Sequence, residues 1–152
     1  MTGPTTGWHT HPGPDIRPIY EQIMDTLTRV RGIDDRVYLS HVPDTVPVSS
    51  TGLTLPYTVV WPSPGTPVTD DDRSGVLYQA GQSGEFTVTV ASGDHWWTTQ
   101  AAADVRHALT GALDGAVQPG RFQQRFAQVM RDPAERPGRH YIPLTFTFKK
   151  HA

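Results

Sequence analysis

The sequence comprises 152 residues, with 13 basic and 15 acidic side chains, a formal net charge of −2 and no cysteine. This length predicts a single domain that buries roughly 70% of the surface of its unfolded chain, and the absence of cysteine excludes disulfide bonds. The near-neutral charge argues against a dedicated DNA- or RNA-binding module, which normally carries a clear basic excess.

The first fourteen residues, MTGPTTGWHTHPGP, are rich in Gly, Pro and Thr. Such a composition cannot pack by itself, so we predict that residues 1–14 form an extended arm and residues 15–152 a single domain. The arm lacks the basic start and apolar stretch of a signal peptide, and no apolar run approaches the about 20 residues of a membrane span. We therefore expect a soluble, non-secreted protein with no membrane partner.

Helical periodicity begins after Asp15, which is suited to cap a helix whose first turn accommodates Pro18. Apolar side chains then recur in three- and four-residue steps, at Ile16, Ile19, Ile23, Leu27 and Val30. We predict an amphipathic helix that ends at Gly32.

Three β-prone segments follow in the order DRVYLSHV, LPYTVVWP and EFTVTVA. The first two contain β-branched and aromatic residues. The third alternates, with Phe86, Val88 and Val90 on one face and Thr87 and Thr89 on the other. The segment PSPGTPVTDDDRSG at residues 62–75 separates the second from the third and predicts a long polar loop, and VLYQ after it predicts at most a brief strand.

A second helix is predicted to start at Asp94 or Thr98 and to stop before Gly115. The closing segment predicts a hairpin, with RFQQRFAQVMR going out and RHYIPLTFTFKK returning. The order of elements indicates an α+β domain, in which two helices pack on one face of a mainly antiparallel sheet.

The histidines of His9-Thr10-His11-Pro12 raise the alternative of a zinc-dependent hydrolase, because this run resembles the zinc centre of the JAMM deubiquitinase family. In that family a serine and an aspartate follow at fixed spacing, but the corresponding positions here hold Tyr20 and Ile23. A zinc site also needs three or four rigidly held ligands. We therefore expect solvent-exposed histidines and no bound metal.

The acidic cluster DDDRSG raises the alternative of a calcium loop. Asp70, Asp72, Ser74 and Gly75 match the first, third, fifth and sixth positions of an EF-hand, but Gly81 stands where the bidentate glutamate belongs. The sequence also contains no G-x-S-x-G elbow, Walker A loop or dinucleotide fingerprint. We expect no cofactor and no enzymatic activity.

Aromatic residues offer candidate contact sites instead. Trp96 and Trp97 are adjacent, and neighbouring helix positions point about 100° apart, so we expect one to pack on the sheet and the other to lie near the surface, with burial of both in a local core as the alternative. Phe122 and Phe126 share one face of a predicted strand whose other face carries Arg121 and Arg125.

Taken in sequence, these segments resemble the tail terminator (tail completion) proteins of long-tailed bacteriophages. The resemblance covers residues 15–150 and includes the first helix with DRVYLSHVP, the strand LPYTVVWPSPG, a polar loop, GEFTVTVAS, the helix TTQAAADVRHALTGAL and the closing hairpin. Other neck proteins, such as head–tail adaptors and stoppers, are similar in size and pattern and remain an alternative. A small-molecule- or peptide-binding module is a further one.

The resemblance implies a structural virion protein that forms a homo-oligomeric ring, usually a hexamer, on the tail tube. Such a ring ends tube polymerisation, contacts the tail tube protein and the head–tail connector, and lets genomic DNA pass without specific binding. We expect Trp97, Phe122, Phe126 and the loop residues Asp70, Asp71, Asp72 and Arg73 to contact neighbouring subunits or partners.

Overall fold

Seven strands form one sheet in a computed structural model that describes residues 15–64, 66–71, 77–120, 128–132 and 138–151. The elements in chain order are α1 (Arg17–Thr28), β1 (Val37–Leu39), β2 (Tyr57–Trp61), β3 (Thr66–Asp71), β4 (Leu77–Ser92), α2 (His95–Leu109), β5 (Val117–Pro119), β6 (Met130–Asp132) and β7 (Arg139–His151). The strand order is β1-β2-β4-β7-β5, with β3 added to β4 and β6 added to β7. Among these described strands only the β1–β2 pair is parallel, which confirms the predicted mainly antiparallel α+β fold.

Both helices pack on one face of the sheet, as predicted. The alternating residues of β4 and β7 that face them are directly paired across the two strands, with Phe86 opposite Phe146 and Val88 opposite Leu144. Tyr20 of α1 packs edge-on against the Phe86 ring at 5.8 Å. The core therefore lies between the helices and the β4–β7 centre of the sheet, and its fully buried side chains include Ile23, Leu27, Val88, Val105, Leu109, Leu144 and Phe146.

The first helix is shorter than predicted. Ile16 occupies the N-cap position and provides no side-chain cap, whereas Asp15 accepts a hydrogen bond from the backbone N–H of Arg17 at 3.1 Å. The helix ends at Thr28, and a turn with Gly32 at a φ of +93° leads to β1. Asp15 therefore accepts a hydrogen bond from the first turn of the helix, although it lies one residue before the N-cap position.

The prediction of a polar loop at residues 62–75 is wrong for residues 66–71, which form β3. Residues 77–79 of the segment VLYQ and the whole of EFTVTVA are likewise parts of one 16-residue strand, β4. Backbone pairing with β4 overrides the weak β-propensity of Pro67, Asp70 and Asp71, with a register shift between Val68 and Thr69. This hairpin is hereafter called the β3–β4 hairpin.

The closing hairpin is confirmed for its return strand, β7, whose residues Ile142, Leu144, Phe146 and Phe148 face the core. The predicted outgoing strand is described only at β6, because residues 121–127 lie outside the described part of the chain. Residues 117–119, to which the sequence pattern gave no structure, pair with β7 as β5. The arm at residues 1–14 also lies outside the described residues.

Candidate subunit interface

Two unlike surface features lie at opposite ends of β4. The β3–β4 hairpin includes the first residues of this strand, and the start of α2 follows its last residue, Ser92, after two connecting residues. A strand of 16 residues is roughly 50 Å long at about 3.3 Å per residue. The chain therefore presents two candidate contact surfaces that cannot meet within one subunit.

The β3–β4 hairpin extends past the other described strands. β2 pairs with β4 from Thr87 to Ala91, and β7 pairs with it from Gly81 onward. Residues 77–79 pair with β3 alone among the described strands. Asp70 and Asp71 lie in this projecting part, opposite Tyr78 and Leu77, while Asp72 and Arg73 fall outside the described residues.

The start of α2 exposes both tryptophans, which corrects the expectation that one packs on the sheet and also excludes burial of both in a local core. Trp96 is 74% exposed and Trp97 is 37% exposed. The His95 ring packs edge-on against Trp96 at 5.4 Å. We call Trp96 and Trp97, with the groove beside them, the tryptophan surface.

At the start of α2 the position that faces the sheet is occupied by Thr98, where a tryptophan was expected. Thr98 is fully buried, and its hydroxyl lies 2.7 Å from the Ser92 hydroxyl and donates to the Asp94 carbonyl at 3.0 Å. Asp94 caps the helix by accepting from the Trp97 N–H at 3.0 Å. Counting back from the buried Leu109 in turns of 3.6 residues passes through Val105 and Ala102 and reaches residue 98, so the periodicity contained this signal.

The groove of the tryptophan surface has a volume of about 320 Å³. Trp97, Gln100 and Asp104 of α2 form one wall, and the Gln100 amide donates to the Asp104 carboxylate at 3.0 Å. Pro56 and the exposed Arg31 also line the groove. Tryptophan and arginine are both enriched at protein contact sites.

The other face of the sheet carries a second groove, of about 290 Å³. We call it the open-face groove, and its lining includes Tyr57, Val59, Trp61, Ala91, Tyr141 and Pro143. The buried Arg139 donates to the Tyr57 hydroxyl at 3.0 Å, and its guanidinium lies 5.5 Å from the centre of the Tyr57 ring. The indole N–H of Trp61 donates to the Thr89 hydroxyl at 3.0 Å.

Within the described ranges, no group of three or more His, Asp or Glu side chains is placed to hold a metal ion. His9 and His11 are outside those ranges, as are Phe122 and Phe126. No helix in the described part of the chain combines the length and apolar character that crossing a membrane requires.

No family model matches this chain, and no curated protein matches it. Among solved structures it is similar to a chain from the virion of a native gene transfer agent particle. The two chains are 20% identical, the match covers 88% of this chain and 92% of that one, and the TM-score is 0.47. This degree of similarity assigns neither a family nor an activity to the chain.

Proposed function

We propose that this chain is a structural protein of a phage-type virion and has no enzymatic activity. Its copies form a ring, a hexamer by resemblance to tail terminators, that caps the tail tube, ends tube polymerisation and joins the tail to the head–tail connector. The observation that carries the proposal is the placement of the β3–β4 hairpin and the tryptophan surface at opposite ends of β4.

A closed ring of identical subunits needs a heterologous interface, in which one patch of each subunit binds a different patch on the next. The β3–β4 hairpin is suited to be one such patch, because its end beyond Gly81 has no third strand among the described residues, and a two-stranded ribbon is only marginally stable in water. Strand edges of this kind can also pair with another chain.

The tryptophan surface is suited to be the second patch. Exposed tryptophans are enriched among the residues that contribute most to binding at protein interfaces, and Trp96 is 74% exposed. The acidic residues of the hairpin, Asp70 and Asp71, are opposite in charge to Arg31 and Arg36, which outnumber Asp104 in the lining of this groove. We infer that the hairpin of one subunit contacts the tryptophan surface of the next.

Passage of DNA through the ring requires weak attraction for phosphate. Affinity for duplex DNA rises steeply with each lysine or arginine contact, and the formal net charge here is −2. Weak duplex binding at physiological salt is therefore the expected result of an electrophoretic mobility-shift assay. Submicromolar affinity under those conditions would contradict a passive channel.

The function is tested by adding the purified protein to polymerising tail tube protein from the same virus. A terminator stops tube growth at substoichiometric amounts and labels one end of each tube in immunogold electron micrographs. Label at the head–connector side, with no effect on tube length, would instead identify a head–tail adaptor or stopper. Metal bound in proportion to the protein, and lost from the His9→Ala/His11→Ala variant, would support a hydrolase.

A further inference from the structure

The open-face groove is largely apolar where a sheet face is expected to be polar. An antiparallel sheet with helices on one face normally directs polar side chains to the solvent on the other. Here the groove is lined by Val59, Trp61, Ala91, Tyr141 and Pro143, with Thr89, Asp132 and Arg139 as its polar members. Further along the same face the outward positions of β4 and β7 are polar, with Thr87 opposite Thr145 and Glu85 opposite Thr147.

The side chains at the base of this groove are buried, and those at its rim are exposed to solvent. Val59 is 0% exposed and Ala91 is 2% exposed, whereas Trp61 is 37% and Val42 is 42% exposed. The hydrogen bonds of Arg139 and Trp61 hold two of its aromatic rings, those of Tyr57 and Trp61, in place. A rigid aromatic groove of this kind binds extended, proline-containing segments, whose backbone loses little conformational freedom on binding.

We propose that the open-face groove binds residues 1–14 of the same chain. This segment contains Trp8 and the prolines Pro4, Pro12 and Pro14, and it has no Lys, Arg, Asp or Glu. A segment without these side chains enters a largely apolar groove without the large cost of burying a carboxylate, ammonium or guanidinium group. Trp8 is its one aromatic side chain and supplies the anchor.

The position of Asp15, where this segment joins the described chain, favours binding to the groove of the same subunit. Tyr20 of α1 is hydrogen-bonded to Ser63, two residues after Trp61 of the groove. From Asp15 to Tyr20 the helix rises by only about 8 Å, and two residues of strand span roughly 7 Å. Fourteen residues reach up to about 45 Å when extended, which is long enough to run from α1 to the open-face groove of the same subunit. This short tether gives it a high effective concentration there.

A cysteine cross-linking experiment tests the proposal, and the absence of native cysteine makes the result unambiguous. Thr10→Cys is combined with Val42→Cys at the groove rim, or with the exposed Thr99→Cys on α2 as the matched control. A short bismaleimide is expected to bridge the first pair within one chain, which intact-mass spectrometry detects as one added linker per monomer. The second pair is expected to stay unbridged and to take up two separate linkers. Equal cross-linking of both pairs would overturn the proposal, and a dimer-sized product of the first pair would assign the groove to a second copy.

Deleting residues 2–14 gives an independent measurement. The deletion is expected to increase the rate at which Val42→Cys reacts with a soluble maleimide, and to leave the rate of Thr99→Cys unchanged. Trp8→Ala in the full chain is expected to have the same effect. Unchanged reactivity of Val42→Cys in both backgrounds would overturn the proposal. The oligomeric state of the same variants reports on the ring separately.

Discussion

The Tyr20 hydroxyl donates to the Ser63 carbonyl at 2.9 Å and lies 3.0 Å from the Ser63 backbone nitrogen, whose N–H it accepts. These two bonds join α1 to the connection between β2 and β3. The Tyr20 ring also packs edge-on against Phe148 at 5.9 Å. One side chain therefore links the helical layer, the core and the base of the β3–β4 hairpin.

Tyr20→Phe is expected to lower the free energy of unfolding by about 1–2 kcal/mol, because it retains the ring packing but leaves a partly buried amide and carbonyl without their partner. Urea denaturation measures this loss. Tyr38→Phe, at a half-buried tyrosine whose ring packs on Tyr57, is the control and is expected to change stability by less than about 0.5 kcal/mol. Equal effects of the two substitutions would contradict a special role for the Tyr20–Ser63 link.

Asp94→Ala removes the carboxylate that accepts from the Trp97 N–H at the start of α2. Loss of such a cap lowers the free energy of unfolding by about 1 kcal/mol. Asp94→Asn retains an acceptor oxygen and is expected to keep most of that stability. Thermal unfolding followed by circular dichroism distinguishes the two variants, and an Asn variant as unstable as the Ala variant would argue against capping.

Gly93→Ala is expected to be destabilising because the backbone of the preceding loop lies against this residue. An added Cβ would stand 2.6 Å from the Thr54 backbone nitrogen, and the Gly93 N–H already donates to the Thr54 carbonyl at 2.8 Å. The loop must therefore move, at a cost of about 1–3 kcal/mol. Gly138→Ala, whose added Cβ would come no nearer than 4.0 Å to the Arg131 side chain, is the matched control and should be nearly neutral.

Trp96→Ala/Trp97→Ala is expected to weaken assembly while leaving the subunit folded, because both side chains are exposed. Loss of interface anchors of this type costs more than about 2 kcal/mol per contact, or roughly 30-fold in affinity. Mass photometry measures the shift from rings to monomers. Thr99→Ala, at another exposed position of α2, should assemble like the unaltered protein.

Asp70→Lys/Asp71→Lys is expected to abolish rings in the same assay by reversing the charge of the β3–β4 hairpin. This variant keeps an intact tryptophan surface, and Trp96→Ala/Trp97→Ala keeps an intact hairpin. Mixing the two variants therefore allows one intact contact between two unlike subunits, while the contact at their other two patches stays broken. The mixture should therefore give dimers and no rings. Rings formed by the hairpin variant alone would show that the hairpin lies outside the interface.

The sequence predicted the fold well where periodicity was strong. The alternation of Phe86, Val88 and Val90 placed them on the core face, as did the steps from Ile19 to Leu27 in α1. The sequence did not predict β3. Its Pro and Asp residues have low β-propensity, and the strand forms through pairing with β4, which is a tertiary interaction.

The candidate site was less predictable than the fold. The helical periodicity of α2 identifies its inward positions. Extended to the start of the helix, it would have assigned Thr98 to the core and both Trp96 and Trp97 to the surface. The open-face groove depends on residues from β2, β4 and β7 that become neighbours only in the sheet. Its outward apolar residues, such as Tyr141 and Pro143, are distinguishable from core residues only once the helices are placed.

The most direct test of the account is negative-stain electron microscopy of the purified protein, with its mass measured in solution at the same concentration. We predict annular particles with a central opening and two unlike faces, built from several copies of the 16.8 kDa chain. Monomers of that mass at every concentration tested, with no annular particles, would contradict it.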